Sequence, residues 1–150
     1  MKRIVSLVCW GVLLLTGCSG SRDGRPRPVP VTGYVLVDGE PLEGTRVVFS
    51  PDDHQYAAAG VTDAEGRFQL QTFAANDGAV PGSYKIIASN FIVIEHPNGS
   101  VTETHYLPAM YRDPAKSGLT ATVEDRGPNE LTLELTIPAS GIEQPKLPAN

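Results

Sequence analysis

Val31-Thr-Gly-Tyr-Val-Leu-Val-Asp-Gly-Glu-Pro-Leu-Glu-Gly-Thr-Arg-Val-Val-Phe49 is the stretch that decides the fold. Two runs rich in β-branched and aromatic residues flank Asp38-Gly39-Glu40-Pro41 and Gly44, which reads as strand, turn, strand. Gly39 takes φ > 0 at no steric cost, and Pro41 presets φ while withholding a ladder donor. The same idea returns at Thr62-Asp-Ala-Glu-Gly-Arg-Phe-Gln-Leu70, where Asp63 to Gly66 turn the chain and Phe68 and Leu70 share a face.

Outward from this core the pattern persists. Alternation places Val35 with Val37 and Val47 with Phe49 on inner faces, with Arg67 and Gln69 outward. Ser83 to Ser89 reads as a strand with Tyr84, Ile86 and Ala88 inward. Phe91–Glu95 and Val101–Tyr106 flank the hairpin signal Asn98-Gly99. Leu119, Ala121 and Val123 alternate with Thr120, Thr122 and Glu124, and Leu131, Leu133, Leu135 and Ile137 alternate with Thr132, Glu134 and Thr136, as half-buried strands do. Leu107 to Lys116 holds one helical turn at most. The expected fold is all-β: a single antiparallel two-sheet β-sandwich of seven or eight strands. One domain suits a chain of 150 residues, and Gly (15) and Pro (13) fall singly between apolar runs, as turns require. The formal charge is −5, but residues 31–150 hold 7 Lys or Arg against 16 Asp or Glu, a balance of −9. Such a surface repels a nucleic-acid backbone, so nucleic acid is not an expected partner.

The N-terminus carries an address. Met1-Lys2-Arg3 is a positive n-region and Ile4 to Leu15 an apolar h-region of secretory length, too short to span a bilayer comfortably. Leu15-Thr16-Gly17-Cys18 resembles the bacterial lipobox, in which diacylglycerol is attached to the Cys sulfur before cleavage ahead of it. The reading is a signal peptide at 1–17 and lipidation of Cys18, whose acyl chains make the membrane a partner. Cys9 lies in the discarded segment, so no disulfide is expected. Residues 18–30 form a Pro- and Arg-rich tether that reaches roughly 30–40 Å. Residues 31–139 are the domain, and 140–150 read as a disordered tail. Ser19 after the Cys favours an outer-membrane over an inner-membrane position.

The residues of the domain are familiar. Gly33-x-Val35, Asp38-Gly39-x-Pro41-Leu42, Gly44-x-x-Val47-x-Phe49 and Thr62-Asp63-x-x-Gly66-x-Phe68 resemble the carboxypeptidase regulatory-like domain, a prealbumin (transthyretin)-like sandwich. Asp77 to Lys85 and Leu107 to Val123 are similar to the version found in short lipoproteins of planctomycete-type bacteria. These motifs are turn and core residues, so the resemblance implies a fold and a non-catalytic accessory module.

The candidates for chemistry are few. His54, His96 and His105 are isolated, each in or beside a predicted loop, and read as surface residues with no metal site. There is no G-x-S-x-G, and Tyr111-Arg112-Asp113-Pro114 matches only half of the hydroxyisourate hydrolase terminus. Asp52-Asp53 and Asp63-x-Glu65 offer oxygens of the kind Ca²⁺ takes, but the second is preferred as a turn. No cofactor is expected beyond that weak claim of Ca²⁺. Tyr34, Tyr56, Tyr106 and Tyr111 are candidates for a glycan platform. With His96 and His105 they make the expected binding surface, centred on the excursion from His96 to Ser117, the longest region not assigned to strand pairing. The expected function is a non-catalytic, lipid-anchored extracytoplasmic module that binds envelope protein or polysaccharide. The alternative is a small hydrolase or metal-dependent enzyme built from loop Asp, His and Tyr.

Overall fold

The computed structural model describes residues 24–138. Cys18, the lipobox Leu15, Thr16 and Gly17, and the tail expected at 140–150 lie outside these residues. The fold is all-β, and the described residues form ten strands and one short 3-10 turn in chain order.

The opening stretch forms β1 (Val31–Val37), which turns at Asp38-Gly39 into the two-residue β2 (Glu40–Pro41). Both turn residues have positive φ, 52° at Asp38 and 87° at Gly39, the handedness that matches strand twist in a two-residue hairpin. β3 (Arg46–Pro51), β4 (Ala58–Val61) and β5 (Arg67–Gln69) follow. Next come β6 (Gly82–Ser89), β7 (Phe91–Glu95), β8 (Val101–His105), β9 (Leu119–Val123) and β10 (Asn129–Leu135).

Two four-stranded sheets share one core. In the first, β1 is the spine, with β10 along one edge and β5 and β2 along the other; the second runs β4-β3-β6-β9. Their inner faces supply Val35, Phe68 and Leu133 on one side and Val47, Phe49, Ile86 and Val123 on the other. The rings of Phe49 and Phe68 meet at 6.3 Å between centroids, and Phe49 and Tyr84 at 5.7 Å. Gly33 makes this packing feasible, because a Cβ there would lie 2.6 Å from the Phe68 ring and 2.4 Å from the Leu131 carbonyl oxygen. Gly66, at φ 73°, closes the β4–β5 turn, and its carbonyl accepts from Val35 N–H at 2.8 Å.

One seam departs from the all-antiparallel expectation. β1 pairs with β10 in parallel, from Val31↔Asn129 to Val37↔Leu135. A parallel pair needs a long connection, and here the whole domain supplies it between its first and last strands. Structured contact also begins before Val31: Val29 exchanges backbone hydrogen bonds with Ala79 at 2.8 and 3.0 Å.

A buried polar knot ties the sheets together at one end. Thr62 Oγ1 accepts from Thr45 N–H at 2.8 Å and donates to Leu42 O at 2.6 Å. Asn90 Nδ2 donates to Glu43 O at 2.7 Å and to Thr45 Oγ1 at 3.1 Å. Each buried donor therefore has a partner, as burial demands.

Candidate functional site

β7 and β8 belong to neither large sheet; they form a two-stranded sheet of their own. The excursion expected to escape strand pairing between His96 and Ser117 thus gives its first part to a ladder, Phe91↔His105 to Glu95↔Val101. At the base, the buried Asn90 side chain is held as described, and Tyr106 N–H donates to Asn90 O at 2.9 Å. At the tip, Asn98 Oδ1 accepts from Ser100 N–H at 3.0 Å and from Ser100 Oγ at 2.7 Å.

The sequence of β7 explains what is unusual about this ribbon. Phe91-Ile-Val-Ile94 is an uninterrupted apolar run, and such a run ordinarily marks a strand covered on both faces. Here the run is largely bare: Phe91 is 45% exposed, Val93 53%, Ile94 43% and, on β8, Val101 60%, with Ile92 half-buried. The pairing register puts Phe91 and Val93 on one face beside His105 and Glu103, and Ile92 and Ile94 on the other beside Thr104 and Thr102. An isolated two-stranded ribbon is only marginally stable in water, and a contiguous apolar patch marks an interaction surface.

Arg112, Glu103 and the His105 ring meet at the ribbon's base. Arg112, from the 3-10 turn Ala109–Arg112, places Nη1 2.6 Å from His105 Nε2, while Glu103 Oε1 lies 2.9 Å from the same nitrogen. One ring nitrogen cannot accept from the guanidinium and donate to the carboxylate at once. His105 Nδ1 is buried without a partner, so proton transfer to that side leaves an unsatisfied donor.

The expected binding residues do not form one surface. Tyr111 is a core residue: it is 7% exposed, its hydroxyl accepts from Thr136 N–H at 2.9 Å, and it donates to Thr136 O at 3.2 Å. Tyr34 is half-buried on the outer side of β1, and Tyr106 lines a shallow pocket of about 380 Å³ with Val37, Pro41, Leu42 and Ile137. Tyr56 stands beside Phe73 at 5.3 Å between ring centroids, and the Arg25 guanidinium lies 5.4 Å from the Phe73 ring centre. Only His96 and His105 share an element, the ribbon. His96, exposed beyond the end of β7, reaches Thr102 Oγ1 at 2.9 Å.

His54 is not the surface residue expected. Its side chain is mostly buried; Nδ1 accepts from Tyr56 N–H at 3.1 Å, and Nε2 lies 3.1 Å from the Tyr84 hydroxyl. With Nδ1 accepting, the neutral ring carries its proton on Nε2 and donates to Tyr84, whose hydroxyl donates to Val80 O at 2.5 Å. Both ring nitrogens are thereby occupied in a structural chain. Burial, together with the Asp53 carboxylate, pushes the Tyr84 hydroxyl up to about 12.

The acidic loops are also engaged. Asp52 pairs with Lys85 at 3.2 Å, and Asp63 Oδ1 accepts from Glu65 N–H at 3.2 Å and Arg67 N–H at 2.8 Å. That is the local turn bonding which the preferred reading of Asp63 describes. Among the described residues no three His, Cys, Asp or Glu side chains converge so as to hold a metal. No helix among them is long and apolar enough to cross a membrane.

No protein-family model and no characterised protein matches the chain. Among solved structures, it is similar to a 9R-lipoxygenase from Cyanothece PCC8801 at a TM-score of 0.39 and 16% identity, over 81% of this chain. The matched region spans 18% of the lipoxygenase chain, and a likeness this distant carries no argument about either fold family or activity.

What sequence reasoning missed is the exposure of Phe91, Val93 and Val101 on one face of the ribbon and of Ile94 on the other, with Glu103 and Arg112 converging on His105 at its base. A signal for Phe91, Val93 and Ile94 existed in the unbroken apolar run. What it lacked was the knowledge that, among the described residues, β8 is the sole strand partner of β7.

Proposed function

We propose that this chain is a non-catalytic, lipid-anchored extracytoplasmic module, a transthyretin-like sandwich of the carboxypeptidase regulatory-like kind, whose projecting ribbon docks onto a protein of the cell envelope. The observation that carries the docking role is the bare apolar run of β7 on a sheet of only two strands. Among the described residues no strand lies along either outer edge of that sheet, so an extended segment of a partner can add as a third strand while its side chains cover Phe91, Val93 or Ile94. Anchoring rests on the n-region, the h-region and Leu15-Thr16-Gly17-Cys18. Two or more acyl chains suffice to hold the module at the membrane surface, where one binds only marginally.

The test is photo-cross-linking in intact cells from a benzoylphenylalanine placed at Val93, with the same probe at exposed Thr132 as control. A single envelope protein captured from position 93, absent from position 132 and lost in an Ile94→Asp background, supports the docking reading. Equal capture at both positions, or none at 93, refutes it. Separately, Cys18→Ala must release the chain from the membrane fraction and abolish incorporation of labelled palmitate. Unchanged fractionation would defeat the anchor while leaving the ribbon's role to the cross-link.

A further inference from the structure

A second surface stands apart from the ribbon, where the chain crosses from one sheet to the other. β4 is an edge of the second sheet and β5 an edge of the first, and they are joined by the turn Asp63–Gly66. At one end the two edges touch: Ala59 and Gln71 exchange backbone hydrogen bonds of 2.9 Å each. A Cβ on Gly60 would lie 2.5 Å from Gln69 O, so only glycine allows this approach. Beside that contact a groove of about 420 Å³ opens, within the ~300–1,000 Å³ range of small-ligand sites.

Its polar lining is Arg46, Arg67, Gln69, Gln71 and Asn76, with Asp63 at the turn. On a domain that is strongly acidic, two guanidiniums in one groove stand out. Among the described residues the Lys and Arg ion pairs are made by Lys85, Lys116 and Arg126, and by neither Arg46 nor Arg67. Asp63 has its Oδ1 committed to the turn by two backbone N–H groups.

We infer that this groove binds a carboxylate-bearing saccharide of the uronic acid kind. Two arginines against one aspartate leave a single net positive charge, which suits a monovalent carboxylate better than a divalent phosphate. A guanidinium engages carboxylate with two parallel N–H donors, which fixes orientation as well as charge. The three carboxamides each offer donors and an acceptor, the pairing that sugar hydroxyls need. An acidic peptide added as a strand is disfavoured, because Gln71 already occupies the β4 edge at Ala59. The groove shares no residue with the ribbon, so this site stands whether or not the ribbon docks a protein.

The test is calorimetric titration of the full chain in detergent with digalacturonate, its dimethyl ester, triglutamate and inorganic phosphate. Saturable binding of digalacturonate is expected, about tenfold or more weaker for the ester and for Arg46→Gln or Arg67→Gln, and weakening with salt. Both variants retain the parent's thermal midpoint, since these guanidiniums hold no ion pair, and Val93→Asp leaves the affinity unchanged. Absence of saturable binding, equal affinity for the ester, or equal affinity for triglutamate or phosphate would overturn the assignment. So would full affinity in both folded arginine variants.

Discussion

The two-sheet body and the ribbon are built from the same residue types and differ in what covers them. In β6, Tyr84, Ile86 and Ala88 are buried while the residues between them are exposed or half-buried, so every apolar side chain on that inner face faces the opposite sheet. In β7 four apolar residues in succession meet a single partner strand, and three of them, Phe91, Val93 and Ile94, are otherwise exposed while Ile92 is half-buried. The contrast teaches that β-propensity makes a strand and burial makes it stable; β7 has the first without the second.

The sharpest way to break this comparison is to delete equivalent apolar groups from each region. Phe49→Ala removes a ring packed between Phe68 and Tyr84 and leaves a cavity, for an expected loss of about 3–5 kcal/mol in chemical denaturation. Val93→Ala removes a side chain already half in water and is expected to change stability by less than about 0.5 kcal/mol. A loss above about 1.5 kcal/mol at Val93 would mean that the ribbon is packed within the isolated chain, and the contrast would fail.

A polar version of the same comparison comes next in size. Thr62→Val leaves the Thr45 N–H buried without its acceptor, for an expected loss of about 1–3 kcal/mol. Thr102→Val breaks the exposed bond to His96, where water replaces the partner, and is expected to stay within about 0.5 kcal/mol. Paired denaturant curves for the two variants decide it.

These contrasts also mark where the sequence was legible. Strong alternation identified β9 and β10 nearly to their ends, and Asp38-Gly39 and Asn98-Gly99 both proved to be hairpin turns, because local patterns carry that information. The parallel seam between β1 and β10 was not legible, since nothing local distinguishes a strand's neighbour across nearly a hundred residues. Tyr111 was misread for the same reason. Its burial depends on Thr136, 25 positions away, offering both a donor and an acceptor. His54 does lie in a loop, but Tyr84 packs beneath it and takes it off the surface. Arg67 and Gln69 read correctly as outward, but the groove that Arg67 shares with Arg46 exists only because the chain changes sheets between them.

Tyr84 gives a titratable form of the comparison. Tyr84, in the body, ionises only near 12 because burial and the nearby Asp53 carboxylate both oppose the anion. Its folded value lies above the ordinary value near 10, so its stabilising contribution is intact below about pH 10 and is lost as pH rises toward 12. Thermal midpoints between pH 9 and 12 should fall steeply in the parent and less steeply in Tyr84→Phe. An unchanged alkaline slope in that variant would mean other groups control it.

The smallest expected effect compares two loop tips that use the same bonding with different chemistry. At the ribbon's tip a neutral amide, Asn98, accepts from Ser100. In the body a carboxylate, Asp77, gathers Thr72 N–H at 2.7 Å, Ala74 N–H at 2.8 Å and Phe73 N–H at 3.0 Å. Partial burial raises the Asp77 carboxyl, but the backbone donors outweigh it and hold the group below the usual carboxylate value. Its contribution is therefore present above about pH 4 and is lost as pH falls through the lower folded value. Asp77→Asn keeps an acceptor but removes the charge, so it should cost less than about 1 kcal/mol at neutral pH and flatten the acid side of the stability profile below about pH 4. Asn98→Ala, which removes no titrating group, should shift that profile without changing its slope. If both variants left the acid slope alone, the bonding at the two tips would be equivalent in kind, and the charge on Asp77 would contribute nothing that an amide does not.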